Sequence, residues 1–144
     1  VPAYAGLGVA AEEIYTDFDK KTAHMYELRD HFIESVQRIE GVSVNGRTDH
    51  TNAPHVVSVS VDGVRAEVML HTLEDRQIYV SAGSACSSNK PAISSTLKSI
   101  GLKQSLLDST IRFSFCVNTT QEEIDYAVTV MAEVIPMLRR YTRR

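Results

Sequence analysis

Two segments of this chain alternate strictly between apolar and polar side chains, and this alternation constrains the fold more than any other feature. Residues 57–61 read V-S-V-S-V, and residues 111–117 read I-R-F-S-F-C-V. Because successive side chains of a strand point to opposite faces of a sheet, both segments are predicted to be half-buried strands. The polar side of the second strand carries Arg112, Ser114 and Cys116, so its two faces differ sharply.

Helical spacing of apolar residues precedes the strands. Between Leu7 and Ile39 the apolar residues recur at intervals of three, four and seven, which predicts a long helical stretch whose stripe faces the core. Thr16 and Asp17 mark a kink or a break into two helices. Gly41 follows as the expected end of the stretch, since glycine adopts the left-handed conformation common after a helix.

Most of the remaining predicted elements are shorter. Strands are predicted at Val42–Asn45 and Ile78–Ser81, and helices between Val64 and Asp75 and between Pro91 and Gly101. Thr120 and Glu123 form a capping box in front of a long amphipathic helix. The order predicts an α/β fold in a single domain, residues 1–144: a small mixed sheet of about four strands covered by helices.

Charge and composition exclude several classes of protein. The net charge of −3 argues against a nucleic-acid binder that relies on a broad basic face. No segment approaches the roughly 18 apolar residues that a membrane span needs. The two cysteines lie 30 residues apart without a C-x-x-C motif, so we expect a cytoplasmic protein with reduced thiols. Because the chain opens on Val1 within a helical pattern, we expect it to be an excised piece.

Cys86 is the candidate nucleophile. It lies in a predicted loop, residues 81–88, where every neighbour is small or hydroxylated, whereas a cysteine used for packing usually has large apolar partners. The following helix N-terminus and Lys90 favour a thiolate. From the residues alone, a reactive thiol and an ordinary loop cysteine both stay open.

Arg112 is the second candidate. A guanidinium on the polar face of a strand, beside Ser114, forms two parallel hydrogen bonds to a carboxylate. The alternative is an exposed arginine in a surface ion pair. Cys116 is expected to be a buried structural thiol, and His71 to pack within its helix. The five histidines have no metal-ligand spacing, so no metal site is predicted.

Several motifs together resemble one family. The segment Y-V-S-A-G-S-A-C-S-S at 79–88 resembles the active-site loop of cysteine desulfurases of the NifS/IscS type, which are pyridoxal-phosphate enzymes of aminotransferase class V. The segments A-P-H-V-V-S-V-S at 53–60 and S-T-I-R-F-S at 109–114 look like two strands of the same family. The resemblance extends over essentially the whole chain.

The resemblance implies a function and site residues. It implies that L-cysteine becomes L-alanine while its sulfur is transferred to Cys86 as a persulfide, and that Arg112 binds the substrate carboxylate. Gly83, Ser84, Ala85, Ser87 and Ser88 are implied to form the active-site loop. The implied partners are a sulfur-acceptor protein, either an iron–sulfur scaffold or a tRNA-thiolation sulfurtransferase, and a second copy in a homodimer; neither nucleic acid nor membrane is implied.

The sequence departs from the family where the cofactor is concerned. In the family, the lysine that binds pyridoxal phosphate and the contacts to its ring belong to a large domain, and none of the lysines here lies in such a motif. We therefore expect the C-terminal small domain of a fold-type I enzyme, with no cofactor-binding residues and no activity by itself. Cys116 stands where the family commonly has a small residue, and Gln77 stands where the family frequently has glycine.

Two other functions stay open. Cys86 and Cys116 are the pair that a free-standing thiol-redox module would use, and a non-catalytic binding domain would need neither residue. Titration of free thiols with and without reductant distinguishes the redox module, because such a module forms a reversible intramolecular disulfide.

Overall fold

Two helices followed by two strands open a computed structural model that describes residues 1–82 and 94–142, and helices and strands alternate after them. The helices are α1 (Pro2–Tyr15), α2 (Phe18–Val36), α3 (Ala66–Glu74), α4 (Ser95–Ser99) and α5 (Gln121–Thr142). The strands are β1 (Val42–Asn45), β2 (Val56–Val61), β3 (Ser81–Ala82) and β4 (Thr110–Ser114). The predicted α/β class, the number of strands and the order of the elements are confirmed in these residues.

The sheet has the order β1-β2-β4-β3, and its three described pairings are all antiparallel. The expectation of a mixed sheet is wrong in this respect. A helix that joins two strands normally makes them parallel neighbours. Here α3 joins β2 to β3, but β4 lies between these two strands, so each of them pairs with β4 instead.

The core lies on one face of the sheet. Cross-strand pairing places Val59 opposite Ile111 and Val57 opposite Phe113, so the alternating patterns of β2 and β4 are in phase. α2, α3 and α5 cover this face with buried apolar side chains. The ring of Phe32 in α2 lies 4.6 Å from the ring of Phe113, measured between centroids, and 5.4 Å from that of Phe115.

The N-terminal stripe is only partly a core stripe. Leu7, Ile14 and Phe18 are exposed, and α1 has no buried residue, which corrects the expectation that they face the core. Buried residues begin at Leu28, in the second half of α2. Helical periodicity identifies an apolar face but does not say what covers it. The predicted break at Thr16 and Asp17 is confirmed.

Several helices and strands begin or end at other residues than predicted. α2 ends at Val36, before Gly41, which instead adopts a φ of 69° in the turn before β1. β3 begins at Ser81, because residues 78–80 are not paired as a strand. Gln77 has a φ of 61°, in the left-handed region that glycine adopts without steric cost. α4 begins at Ser95 and is capped by the Ser94 hydroxyl, whereas Pro91, the predicted start, lies outside the described residues.

The loop between β1 and β2 is held against α2. The Tyr26 hydroxyl donates hydrogen bonds to the carbonyl oxygens of His50 and Asn52. The Arg29 guanidinium is buried and donates to the carbonyl of Asp49. His50 is also within 2.6 Å of Asp30, from Nε2 to Oδ2. These contacts fix the ends of β1 and β2, and with them the polar side chains that the two strands carry.

Candidate functional site

Arg112 extends from the polar face of β4. Burial alternates along this strand: Ile111 and Phe113 are buried, whereas Arg112 and Ser114 are exposed. The predicted placement of Arg112 on the polar side of its strand is confirmed. Among the described residues, no carboxylate oxygen lies within ion-pair distance of its guanidinium. The alternative of a surface ion pair therefore has no support in this part of the chain.

A row of polar side chains crosses the sheet at Arg112. Arg112 is paired with Ser58 of β2 on one side and with Ser81 of β3 on the other, and Ser58 is paired with Asn45 of β1. Directly opposed residues of antiparallel strands point to the same face. We call this set the Arg112 row: Asn45, Ser58, Arg112 and Ser81.

Hydrogen bonds connect the row to buried hydroxyl groups. The Asn45 side-chain amide donates to the hydroxyl oxygens of Ser58, at 3.2 Å, and Ser60, at 2.8 Å. The Ser60 and Thr110 hydroxyl oxygens are 2.7 Å apart. Thr110 in turn donates to the carbonyl oxygen of Leu106 at 2.8 Å. Because Ser60 and Thr110 are both buried, these bonds satisfy polar groups that water cannot reach.

Sequence reasoning missed Asn45, Ser58, Ser60 and Thr110 as members of one network. The alternation with valine did identify Ser58 and Ser60 as the polar side of a strand. The pairing of β1 with β2, and of β2 with β4, was not visible, because strand order depends on contacts between residues far apart in the chain. The available signal for this network was the pair of serines at alternate positions of β2, together with the polar side of the strand that carries Arg112.

Cys86 and the predicted loop residues Gly83, Ser84, Ala85, Ser87 and Ser88 lie outside the described residues. The strand that leads to them is described. β3 ends at Ala82, which is paired with Ile111, and Ser81 is paired with Arg112. Ser81, the residue paired with Arg112, therefore lies five positions before Cys86 in the sequence.

Cys116 is exposed, which corrects the expectation of a buried structural thiol. β4 ends at Ser114, so Cys116 lies in the turn before α5 rather than in the sheet. The Thr119 hydroxyl donates to its sulfur at 3.6 Å. This hydrogen bond, helped by the backbone N–H of Asn118, lowers the pKa of the Cys116 thiol.

The histidines form separate contacts. His31 pairs with Asp125 at 2.6 Å, and His24 contacts the carbonyl oxygen of Thr119 at 3.3 Å. His71 is exposed and pairs with Glu74, so the expectation that it packs within its helix is wrong. Within residues 1–82 and 94–142, no group of three or more potential ligands is arranged to hold a metal ion. None of the helices in these ranges combines the length and apolarity that crossing a membrane requires.

The model of the aminotransferase class-V family matches residues 1–127, which is most of the chain. The chain belongs to this family. Among curated proteins of the class-V family, cysteine desulfurase IscS of Vibrio atlanticus (strain LGP32) is 39% identical over 134 residues, which make up 93% of this chain and 32% of the relative. The chain thus spans about a third of the length of the relatives it matches.

Solved structures of related proteins share the fold. A NifS-like protein from Rickettsia africae ESF-5 has a TM-score of 0.76 at 17% identity, covering 92% of this chain and 34% of that one. The apo structure of a cysteine desulfurase from Thermococcus onnurineus NA1 has a TM-score of 0.62 at 26% identity, covering 79% of this chain and 26% of that one. The resemblance to NifS/IscS-type proteins seen in the sequence is confirmed.

Proposed function

We propose that this chain is the C-terminal small domain of a cysteine desulfurase. The whole protein converts L-cysteine to L-alanine and leaves the sulfur as a persulfide on Cys86. The observation that carries the proposal is the Arg112 guanidinium: it is exposed, has no carboxylate partner among the described residues, and lies beside the strand that leads to Cys86. The curated relatives named cysteine desulfurase IscS support the enzyme class in this proposal.

Arg112 binds and orients the substrate carboxylate. A guanidinium presents two parallel N–H groups that match the two oxygens of a carboxylate, and such charge-assisted pairs are stronger than neutral hydrogen bonds. The buried side of β4 fixes the strand through Ile111 and Phe113. The backbone position of Arg112 is therefore fixed, and the arginine orients the bound L-cysteine relative to the loop that carries Cys86.

Cys86 accepts the sulfur. In the balanced reaction, L-cysteine and the Cys86 thiol give L-alanine and the Cys86 persulfide: the bond between carbon and sulfur breaks, a bond between two sulfurs forms, and the substrate carbon gains hydrogen. The thiolate is the nucleophilic form of cysteine, so the step requires Cys86 to be deprotonated when it meets the substrate sulfur.

The described residues do not fit the pyridoxal phosphate that this family uses. A lysine is needed to bind its aldehyde. The lysines in the described ranges are Lys20 and Lys21 on α2, Lys98 on α4 and Lys103 in the turn after it, and none lies on the polar face of the sheet. We therefore propose that the cofactor is bound by a separate large domain of the protein, and that this chain alone neither binds it nor turns over L-cysteine.

The remaining partners follow from the same proposal. A persulfide is passed to a second thiol, so the protein needs a sulfur-acceptor protein, either an iron–sulfur scaffold or a tRNA-thiolation sulfurtransferase. The complete enzyme is proposed to be a cytoplasmic homodimer that binds neither nucleic acid nor membrane directly.

The test uses the complete protein that carries this chain, loaded with pyridoxal phosphate. The unchanged protein should release alanine from L-cysteine and gain a persulfide on Cys86, detected by mass spectrometry. Cys86→Ser should abolish both products. Arg112→Ala should raise the KM for L-cysteine by about 100-fold, because it removes charge-assisted hydrogen bonds of roughly 1.5–3 kcal/mol.

Cys116→Ser is the matched control for Cys86→Ser, because it removes the other thiol of the chain while leaving the proposed nucleophile in place. It should release alanine at the rate of the unchanged protein. Alanine formation by Cys86→Ser at the unchanged rate would refute the assignment of the nucleophile. Absence of alanine from the unchanged, cofactor-loaded protein would refute the proposed activity.

A thiol-redox module is the second candidate, and the exposure of Cys116 with its lowered pKa favours it. A redox pair needs two accessible thiols, of which one is a thiolate near neutral pH. Titration of free thiols in the oxidised and reduced chain decides between the two functions. An intramolecular disulfide between Cys86 and Cys116 that forms reversibly supports the redox module, whereas two free thiols in both samples exclude it.

A further inference from the structure

We propose that Ser58 is a second residue that binds the substrate carboxylate, beside Arg112, and that Asn45 orients its hydroxyl group. This inference rests on the proposed function, since it concerns the same carboxylate. It follows from the direction of the hydrogen bonds on the polar face of the sheet, which the positions of the donors and acceptors determine.

The direction is set at the Leu106 carbonyl, which can only accept a hydrogen bond. Thr110 donates its only hydroxyl hydrogen to that oxygen. Ser60 has two acceptors within reach, the Thr110 oxygen at 2.7 Å and the Asn45 Oδ1 atom at 3.1 Å, and it donates its hydrogen to the nearer Thr110 oxygen. Ser60 is therefore the donor in this contact, and its own oxygen is left to accept a hydrogen bond.

Asn45 extends this series of hydrogen bonds. Its amide nitrogen carries two hydrogens and lies 2.8 Å from the Ser60 oxygen and 3.2 Å from the Ser58 oxygen. Both amide hydrogens are used in this way. Ser58 therefore accepts from Asn45, and its own hydroxyl hydrogen has no acceptor among the described residues.

Burial makes this arrangement stable. Ser60 is 0% exposed and Thr110 is 7% exposed. With the opposite direction, Thr110 would donate to Ser60 and Ser60 to the Asn45 Oδ1 atom at 3.1 Å, so the 2.8 Å hydrogen bond from Thr110 to the Leu106 carbonyl would be lost. A buried polar group without its hydrogen bond costs about 1–3 kcal/mol. Ser58, in contrast, is only half-buried, so its unused hydrogen lies where a ligand can reach it.

The position of this free hydrogen fits an anion held by Arg112. Ser58 and Arg112 are direct cross-strand partners, and the β-carbons of such residues are about 4.5–5.5 Å apart on the same face. A carboxylate offers about four acceptor positions, and an arginine fork uses two of them. Arg112 has only donors, so it cannot take the Ser58 hydrogen itself. A carboxylate bound between them satisfies both side chains.

The experiment measures the binding of L-alanine, which carries the carboxylate but no sulfur to transfer, to the complete cofactor-loaded protein by calorimetry. Ser58→Ala should raise the dissociation constant about tenfold, as expected for a lost hydrogen bond to a charged group. Ser58→Thr, which keeps the hydroxyl, should restore most of the affinity. The affinity for cysteamine, which lacks the carboxylate, should not change in either variant.

Ser43→Ala is the matched control, because Ser43 is an exposed serine on the same sheet face but is paired with Ser60 rather than with Arg112. It should leave the dissociation constant of L-alanine unchanged. In the Arg112→Ala background, Ser58→Ala should add less than a twofold effect, since residues that bind one group together are not additive.

The outcomes separate the inference from the function on which it rests. If the unchanged protein makes alanine from L-cysteine but Ser58→Ala binds L-alanine with unchanged affinity, the inference is wrong and the proposed function stands. Equal weakening of L-alanine and cysteamine would indicate a general structural loss and would also overturn the inference. If the unchanged protein makes no alanine, the proposed function fails and the inference fails with it.

Discussion

The chemistry of Arg112, on the polar face of the sheet, and of Cys116, just after β4, depends on the side chains next to each of them. Arg112 is paired across the sheet with Ser58 and Ser81 and has no carboxylate partner among the described residues, which leaves its charge available to a ligand. Cys116 meets the Thr119 hydroxyl, which stabilises the thiolate. The available charge of Arg112 depends on its cross-strand neighbours, and the stabilised thiolate of Cys116 depends on a residue three positions later in the turn. Each property can be tested by substitution.

Thr119→Val should raise the pKa of the Cys116 thiol. Thr119 is the largest cause of the lowered pKa, so its removal leaves less thiolate at any pH below that pKa, and alkylation slows near neutral pH. The rate of iodoacetamide labelling at Cys116, followed against pH by mass spectrometry of the peptide, checks this. Thr129→Val is the control, since the Thr129 hydroxyl donates to the Asp125 carbonyl within α5 and does not contact Cys116. A labelling midpoint that stays in place in Thr119→Val would contradict the prediction.

Between elements, Arg139 connects the end of α5 to two turns. Its side chain donates to the carbonyl of Asp62, at 2.9 Å, and to that of Glu40, at 2.8 Å. Gly41 is required at the second contact, because its φ is 69° and a β-carbon there would lie only 2.4 Å from the guanidinium. The arginine thus fixes the ends of β1 and β2 that lie away from Arg112.

Arg139→Ala should lower the free energy of unfolding by about 1–2 kcal/mol, because two backbone carbonyls lose a charged donor. Chemical denaturation of the 144-residue chain measures this. Arg140→Ala is the matched control: Arg140 is exposed and has no hydrogen bond to a described residue, so its loss should change the free energy by less than about 0.5 kcal/mol. Equal effects of the two substitutions would show that the contacts to Glu40 and Asp62 contribute nothing.

The whole molecule divides into a packed layer and an uncovered helix. α2, α3 and α5 bury the apolar face of the sheet, whereas α1 has no buried residue and exposes Tyr4, Leu7 and Ile14. A helix of 14 residues is only marginally stable in water without packing. The stability of this chain therefore comes from the sheet and the three helices that cover it.

Hydrogen exchange of the chain should separate these two parts. The amides of α1 should exchange with little protection, while those in the middle of α5, around Met131, should exchange only with global unfolding. Phe32→Ala should lower the global free energy of unfolding by about 3–5 kcal/mol and leave exchange in α1 unchanged. Protection of α1 equal to that of α5 would show that α1 is packed in solution.

Much of the fold was predictable because its signals are local. The alternation at 57–61 and 111–117 identified two strands and their faces, and the capping box at Thr120 identified the start of α5. The predicted helix boundary was wrong at Gly41, where a turn rather than a periodic pattern decides. The placement of Arg112 was predicted for the same local reason, whereas Cys116 was misplaced because β4 ends two residues earlier.

By itself, the sequence determined the elements, the apolar and polar faces of the strands, and the family motifs around Cys86 and Arg112. Periodicity and short motifs depend only on residues near each other in the chain, so they can be recognised without coordinates. Only the tertiary structure decided the strand order, the insertion of β4 between β2 and β3, and the contacts that follow from it. Because Asn45, Ser58 and Arg112 come from three strands far apart in sequence, only the pairing of those strands brings them into one row.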